Sequence, residues 1–504
     1  MGVSRTALTL AAGLALVGAA TAACSPGSSS KNKSGGNFVV ARTGDIDVLD
    51  PARATAFQTT QTLGLVYDTL VDTDSKGNLV GGLAKDWKVD GVNVTLNLRT
   101  GVTFHNGDPF TAADAKATLE RDQDTKTASV VRSYLLNVAS IATPDDHTLR
   151  LTLKQPDASL LTALTYVGTS ILDHKDIEAG TVARQPNGTG PFKWQSWQQN
   201  QRLRLAANAR YFKGAPKVKS LEFRVIPDEA SIVSGMKAGG FQLGILTDPA
   251  VARQARSGGK IGRLVSNPTL SYHVLQLNSK AGPLQNQQVR QAIACAVDRK
   301  EIIDTVYFGQ AKPTGPITSP EYQSSATRGL PCTTTPDVNK AKELLTAAGY
   351  ASGFKLHTIV DTGEYNSSTN IAQVLKAQLA KINITLDLDR QQSGVYVPNW
   401  LKANFDAALA LNGGSTDPYL QYNRYFTSTG SLTVPAAYAD PQLNQLLQQG
   451  NATTDVDTRK DVFGQLQQKL LADSPWVWLF RNETYYVLAK GVSGFTATPS
   501  ETLD

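Results

Sequence analysis

Residues 98–114 read LRTGVTFHNGDPFTAAD and carry the signals of a strand, a turn and a helix start in immediate succession. Apolar and polar residues alternate over 94–98, which is typical of a strand with one buried face. Glycine, asparagine and proline then cluster over 101–109, as they do in turns. Thr111 can cap the following helix, and Asp114 lies three residues later, where its carboxylate can return the capping bond. The stretch therefore predicts a strand that turns into a capped helix.

Outward from this stretch, the first half of the chain is rich in strands. Alternating leucines at 149–153 predict a partner strand for 94–98. Two further alternating runs, at 203–205 and 221–225, fit antiparallel strands of a separate sheet. Residues 58–70 place leucine, valine and tyrosine on one face at helical spacing and predict a helix.

From about residue 272 the sequence changes to longer helices between short strands. Residues 287–308 predict one amphipathic helix, and residues 371–382 predict another that leads into a period-two strand at 384–388. The apolar run 476–480 predicts a buried strand near the end. Helix and strand in this alternation favour α/β crossovers and a largely parallel sheet.

Length and charge set the class of protein. The chain has 504 residues, 41% hydrophobic and 18% charged, which suggests two or three globular domains. Its net charge of +6 is scattered, and the densest basic cluster is only Lys213, Lys217 and Lys219. Nucleic-acid-binding proteins concentrate lysine and arginine on one face. The composition therefore argues against nucleic acid as a partner.

The N-terminus predicts export and a lipid anchor. Arg5 precedes a long uncharged run of small and apolar residues, and residues 1–23 have the plan of a secretory signal peptide. Cys24 follows three small residues, which resembles the lipobox of bacterial lipoproteins, although Thr21 stands where that motif usually has leucine. Residues 24–36 then predict a flexible tether. The alternative is ordinary secretory cleavage, with Cys24 incidental.

Two cysteines remain in the body of the chain, Cys295 and Cys332. Outside the cytoplasm a disulfide between them is permitted. Cys295 lies on an apolar helix face, so a buried free thiol is the alternative. We expect the disulfide.

Motifs of common enzymes are missing from the sequence. It has no GxSxG, HExxH, CxxC or Walker pattern, and its five histidines include no i, i+4 pair. We therefore predict no metal, no cofactor and no enzymatic activity. The rival hypothesis is a secreted hydrolase whose triad is dispersed, with Ser415, Asp417 and a remote histidine.

Several motifs, in this order, resemble the family 5 extracellular solute-binding proteins, the dipeptide and oligopeptide receptors of ABC importers. Besides the stretch at 98–114, they are LDP (49–51), VYDTL (66–70), GLAKDW (82–87), GTGPF (188–192), YF (211–212), VRQAI (289–293) and VDR (297–299). Together they run over nearly the whole chain after the tether.

The resemblance implies a periplasmic-binding-protein-like α/β fold: two α/β lobes around a cleft plus an extra α/β domain. Carried over, the first lobe is discontinuous and comprises 37–71, 186–271 and 475–504. The extra domain spans 72–185, and the second lobe spans 272–474.

The resemblance also implies that loops at the lobe interface hold the ligand. The candidate ligand-binding residues are Thr55, Phe57, Trp400, Asn412, Gly414, Ser415, Asp417 and Tyr419. Peptide-binding members usually carry an aspartate at the position of Gly414, where it pairs with the peptide amine. Asp417 either substitutes for it or fixes a turn before Pro418. Trp400 either stacks on the solute or belongs to the core.

The function implied is capture of a solute outside the membrane by closure of two hinged lobes. The expected partners are a small solute, the permease and ATPase subunits of the importer, and the outer face of the cell membrane through the lipid on Cys24. Peptide is the favoured solute, and an oligosaccharide or a metal chelate is the alternative. A sensor that binds solute for signalling has the same sequence features.

Overall fold

The computed structural model describes residues 36–75, 77–257, 261–319, 322, 332, 335–362, 367–498 and 501–503. The predicted signal peptide and Cys24 lie outside the described residues. Residues 35–504 form a single compact unit. No helix of the described part is long and apolar enough to cross a membrane.

Strands make up three sheets. They are β1 (Asn37–Arg42), β2 (Val71–Thr73), β3 (Leu79–Gly81), β4 (Ala84–Asp90), β5 (Asn93–Leu98), β6 (Val138–Asp145), β7 (Thr148–Leu153), β8 (Phe192–Gln198), β9 (Arg202–Ala207), β10 (Ser220–Val225), β11 (Leu243–Leu246), β12 (Arg263–Leu277), β13 (Lys312–Pro313), β14 (Phe354–Asp361), β15 (Ile384–Gln391), β16 (Ala407–Asn412) and β17 (Trp476–Leu488).

Helices cover the sheet faces. They are α1 (Phe57–Leu63), α2 (Ala112–Gln123), α3 (Arg132–Leu135), α4 (Leu160–Ala163), α5 (His174–Ala179), α6 (Glu229–Lys237), α7 (Pro249–Ser257), α8 (Gln287–Ala296), α9 (Arg299–Tyr307), α10 (Val338–Ala347), α11 (Ser367–Ala380), α12 (Ser393–Leu401), α13 (Pro418–Phe426), α14 (Thr433–Ala436), α15 (Pro441–Asn451) and α16 (Val456–Asp473).

The main sheet has the order β15-β14-β16-β12-β17-β11-β1-β10-β9-β8, with β13 paired to β17 at one side. Its pairing is mixed, because β1 and β14 pair in parallel with both neighbours while β9, β12 and β17 pair antiparallel. The parallel crossovers expected after residue 272 are confirmed where β14 pairs with β15 and β16, but the main sheet as a whole is not largely parallel. The antiparallel pairing expected for 203–205 and 221–225 is confirmed by β9 and β10, which lie in the main sheet and so in a different sheet from β5 and β7.

A second sheet, β4-β5-β7-β6, is antiparallel throughout and packs against α2. The predicted capping of α2 is confirmed: Thr111 bonds Asp114, its backbone amide donating to Oδ2 at 2.7 Å. The pairing of 94–98 with 149–153 is confirmed as well. A short hairpin of β2 and β3 completes the strands, and the domain boundaries given above stay predictions.

Two predicted helices are shorter than expected. Residues 58–70 are helical only as far as Leu63, because the chain then pairs with the crossover at 188–192. The amide of Gly190 donates to the carbonyl of Val66 at 2.9 Å, and a Cβ on Gly188 would lie only 2.0 Å from that carbonyl. This close approach requires glycine at residue 188.

Residues 287–308 form two helices, α8 and α9. The backbone is extended at Asp298, between the two helices. The carboxylate of Asp298 caps α9, because it accepts a 3.0 Å hydrogen bond from the amide of Glu301. An aspartate that can bond the backbone locally competes with continuation of the helix. Cys295, on α8, is joined to Cys332 by a disulfide whose Cα atoms are 4.7 Å apart.

Two long strands, β12 and β17, run through the middle of the main sheet. The register of their pairing shifts between Pro268 and Tyr272. On one side of the shift β17 also pairs with β11, and on the other side β12 also pairs with β16. Glu501 is buried at this point and accepts bonds from the hydroxyls of Thr484 and Ser271. We call residues 267–272 with 481–484 the junction.

Candidate ligand-binding site

The loop from residue 413 to 417 joins β16 to α13. Its side chains Ser415 and Asp417 form hydrogen bonds within the protein. The hydroxyl of Ser415 accepts from the amide of Asp417 at 3.0 Å. The carboxylate of Asp417 accepts from the amide of Tyr419 at 2.8 Å, which caps α13, and pairs with Arg459 at 2.7 Å. Both oxygens of this buried carboxylate are therefore engaged by the protein, so we do not assign Asp417 to the solute.

The same bonds bear on the rival triad. Asp417 bonds an arginine and a backbone amide, and Ser415 bonds the backbone of Asp417 and the side chain of Tyr166. The hydrolase hypothesis requires a carboxylate that orients a histidine. Among the described residues, both oxygens of the Asp417 carboxylate are bonded to other groups.

Gly414 is enclosed by backbone. A Cβ at this position would lie 2.0 Å from the carbonyl of Leu270 and 2.4 Å from Oγ1 of Thr318. The position that carries the amine-binding aspartate in peptide-binding relatives thus has no room for a side chain here. The loop backbone lies against the junction instead.

The two predicted edges of the cleft meet. Phe57, the first residue of α1, places its ring tip 3.9 Å from where a Cβ of Gly413 would lie. Thr55 is held nearby through Asp47, whose carboxylate accepts from its hydroxyl at 2.7 Å. Asp50 fixes the base of this segment, because it caps the turn before Thr55 and pairs with Arg121 of α2.

Arg424 is the residue that the sequence analysis missed. Its Nη2 lies 3.7 Å from the same Cβ position of Gly413 and donates a long 3.4 Å bond to the Gly413 carbonyl. Its guanidinium carbon stands 4.9 Å from the ring centre of Tyr425, and Tyr134, Tyr166 and Tyr272 are further electrostatic neighbours. Burial by itself lowers the pKa of this guanidinium, but the tyrosines raise it overall, so Arg424 is a cation.

A signal for Arg424 was present in the sequence. It is the one charged residue in α13, PYLQYNRYF, and every other residue of that helix is buried. Two tyrosines of the same helix, Tyr422 and Tyr425, belong to the core. A lone charge in such a helix has to face either an ion-pair partner or an opening.

Two predicted residues pack away from the loop. Nε1 of Trp400 donates to Oε1 of Gln276 at 2.6 Å, and its ring packs against two core clusters. Tyr419 is 8% exposed and belongs to a core cluster. Asn412 ends β16 and is buried, with a side-chain nitrogen that has no acceptor in the described part of the chain.

A separate cavity of about 300 Å³ lies between α7, α9 and α11. Asp248, Thr305, Phe308, Ser367 and Asn370 are among its lining residues. None of the predicted ligand-binding residues lines it. The candidate ligand-binding site is the contact of Phe57, Gly413 and Arg424, because the two predicted edges of the cleft meet there.

One group in the described residues has the composition of a metal site, Asp114, Asp173 and His174. Its atoms serve the helices instead. Asp114 belongs to the capping box of α2 and accepts both from the His174 backbone and from its ring nitrogen, at 3.0 and 2.6 Å. Asp173 caps α5. The hydrogen bond that the His174 imidazolium donates to the Asp114 carboxylate raises the pKa of His174.

The fold is an α/β fold of the periplasmic-binding-protein-like class, with two lobes around a cleft and an extra α/β domain. Solved structures of that class match it closely. DppA of Helicobacter pylori, in complex with the peptide STSA, is 25% identical with a TM-score of 0.85 over 93% of this chain and 96% of that one. AgaA of A. tumefaciens R10, in complex with agropinic acid, is 27% identical, with the same TM-score and coverage.

The sequence comparison gives the family. The model of the bacterial extracellular solute-binding proteins, family 5, matches residues 78–433, and the chain belongs to this family of extracytoplasmic, solute-binding components of ABC importers. The glutathione-binding protein GsiB of Escherichia coli K12 is 25% identical over 491 residues, 92% of each chain. The family is one of transport proteins rather than enzymes, as predicted.

Proposed function

We propose that the chain is the lipid-anchored receptor of an ABC importer and that it captures peptides or peptide-like solutes for a membrane permease. Relatives named for glutathione and for a bound peptide support this solute class. AgaA, a further similar protein, is in complex with agropinic acid. An oligosaccharide or a metal chelate is the alternative outcome.

The observation that carries the proposal is the meeting of Phe57 with Gly413 and Arg424. These residues come from segments far apart in the chain, and they belong to the two predicted lobes. A solute held between them contacts both lobes only when they are closed. It therefore shifts the protein toward the closed state by the difference in its affinity for the two states. The junction, where both crossing strands change register, is the place where this bending occurs.

A thermal-shift panel tests the solute class. The purified protein is heated with di- and tripeptides, glutathione, oligosaccharides and metal chelates. A ligand at a hundred times its Kd stabilises the folded state by about 2.7 kcal/mol, and we expect that shift from peptides or glutathione. A shift from sugars or chelates alone would contradict the proposed solute.

The lipid anchor rests on the sequence around Cys24. Cells that express the full chain are grown with a labelled fatty acid, and we expect the label on the protein together with its recovery in the membrane fraction. Cys24→Ser is the control and should lose both. Labelling that survives in Cys24→Ser would overturn the assignment.

A further inference from the structure

Among the described residues, no carboxylate balances the charge of Arg424. In the part of the chain that the structure describes, its polar contacts are the Gly413 carbonyl, at 3.4 Å, and the tyrosines around it, with no carboxylate among them. Arg459 provides the contrast, because it bonds Asp417, Tyr322 and the Gly450 carbonyl at 2.7 to 3.2 Å. A largely desolvated cation without a partner is costly to keep.

Buried polar groups near Arg424 lack hydrogen-bond partners. Nε of Arg424 is buried and has no acceptor within the described residues, and neither has Nδ2 of Asn412. Asn412 stands directly opposite Tyr272 in the pairing of β16 with β12, so the two side chains share a face of the sheet. Tyr272 is in turn a neighbour of Arg424. The hydroxyl of Tyr272 is buried without a partner as well, so three polar groups of this region lack one within the described residues.

This spot opens to solvent. Arg424, Gly413, Phe57 and Tyr166 are each partly exposed, whereas the rest of α13 is buried. A Cβ on Gly413 would meet nothing closer than Arg424 and Phe57, at 3.7 and 3.9 Å. Because these residues keep some exposed surface, a group of the solute can reach the guanidinium from solvent.

We propose that the solute presents a carboxylate to Arg424, an inference that rests on the solute-binding function proposed above. A guanidinium offers parallel N–H donors that match the two oxygens of a carboxylate. The carboxylate balances the charge and supplies the acceptor that Nε lacks. Gly414 has no side chain and Asp417 is paired with Arg459, so neither residue offers a charge to the amine of the solute. Arg424, beside this loop, therefore selects the carboxylate of the solute.

Matched ligand pairs test the proposal. Tripeptides with a free C-terminal carboxylate are compared by calorimetry with their C-terminal amides, and with N-acetylated forms that keep the carboxylate. We expect the amides to bind at least tenfold more weakly than the acids, and acetylation to matter less than amidation. Equal binding of acid and amide would overturn the proposal and leave the solute-binding function intact.

Variants then locate the effect. Arg424→Gln should reduce the acid-to-amide ratio to about one, since the amide has no charge for Arg424 to recognise. Arg424→Lys keeps the charge and should retain part of the preference. A preference unchanged in Arg424→Gln would assign the recognition of the carboxylate to another residue.

A third measurement needs no ligand. Arg424→Met removes the unbalanced charge, so the melting temperature of the ligand-free protein should stay the same or rise. Arg459→Met breaks a satisfied ion pair and should lower the melting temperature. If Arg424→Met lowers it as much as Arg459→Met does, Arg424 is structural and the proposal fails. This comparison decides the question even if no compound in the panel binds.

Discussion

Gly414 shows how tightly one residue can be fixed by its surroundings. We expect Gly414→Ala to lower the free energy of unfolding by about 1–3 kcal/mol, because its Cβ would overlap the backbone carbonyl of Leu270 at 2.0 Å. Urea unfolding measures the change. Gly413→Ala is the matched control and should leave stability nearly unchanged, since its Cβ would meet only ordinary contacts. Equal midpoints for both variants would show that the loop has room at residue 414.

Asp122 of α2 is fully buried, and neither carboxylate oxygen has a partner in the described residues. Burial raises the pKa of this carboxyl well above its ordinary range, and the nearby Asp50 raises it further, against the opposing charge of Arg121. The unfolded chain therefore loses the proton at a lower pH than the folded protein. Between the two pKa values the free energy of unfolding falls as the pH rises.

Asp122→Asn removes this ionisation. We expect the variant to be more stable than the wild type by a margin that grows from about pH 4 to about pH 8, as measured by thermal unfolding across that range. Asp461→Asn, at an exposed position of α16, is the control for loss of a carboxylate. A margin that stays constant with pH would show that Asp122 is ionised in the folded protein.

At the scale of single residues, the sequence identified the loop but not the chemistry of each side chain. Phe57 lies beside Gly413, where two segments meet, and contact of Thr55, Phe57 or Gly414 with a solute stays a prediction. Whether Asp417 binds a solute or caps a helix depends on Arg459, which lies 42 residues later and is brought close only by α16 packing on α13 and α15. Spacing along the chain carries no information about such a partner.

At the scale of elements, the disulfide ties α8 to a distant residue. Cys295 and Cys332 are separated by 37 positions, so closing this loop should stabilise the protein by about 3–4 kcal/mol through the unfolded chain. We expect dithiothreitol to lower the melting temperature of the wild type accordingly. Cys332→Ser should show the lower value without reductant and no further change with it. A wild type insensitive to verified reduction would contradict the entropic estimate.

Elements with strong local signals were predicted well, and those that depend on a partner were not. The capping box of α2, and the alternation of apolar and polar residues in β5 and β7, depend only on residues that are close in sequence. The end of α1 at Leu63 is set by hydrogen bonds with the crossover at 188–192. The spacing of apolar residues along the chain does not contain this information. The mixed pairing of the main sheet has the same cause, because direction is decided by which distant strand lies alongside.

At the scale of the whole molecule, closure should be visible in solution. We expect a ligand that stabilises the protein in the thermal-shift panel to reduce its radius of gyration in small-angle X-ray scattering. A compound from the panel without a thermal effect is the control and should leave the scattering unchanged. An identical scattering curve with a saturating ligand would contradict hinged closure.

The central position of β17 bears on how the protein is made. This strand pairs with β11, β12 and β13, although it is the last strand along the chain. The middle of the main sheet thus stays incomplete until residues 476–488 have been synthesised. Contacts of such long sequence separation form slowly. A nascent chain that cannot finish its core during translation stays extended for longer, which suits passage through a narrow export channel before folding on the far side.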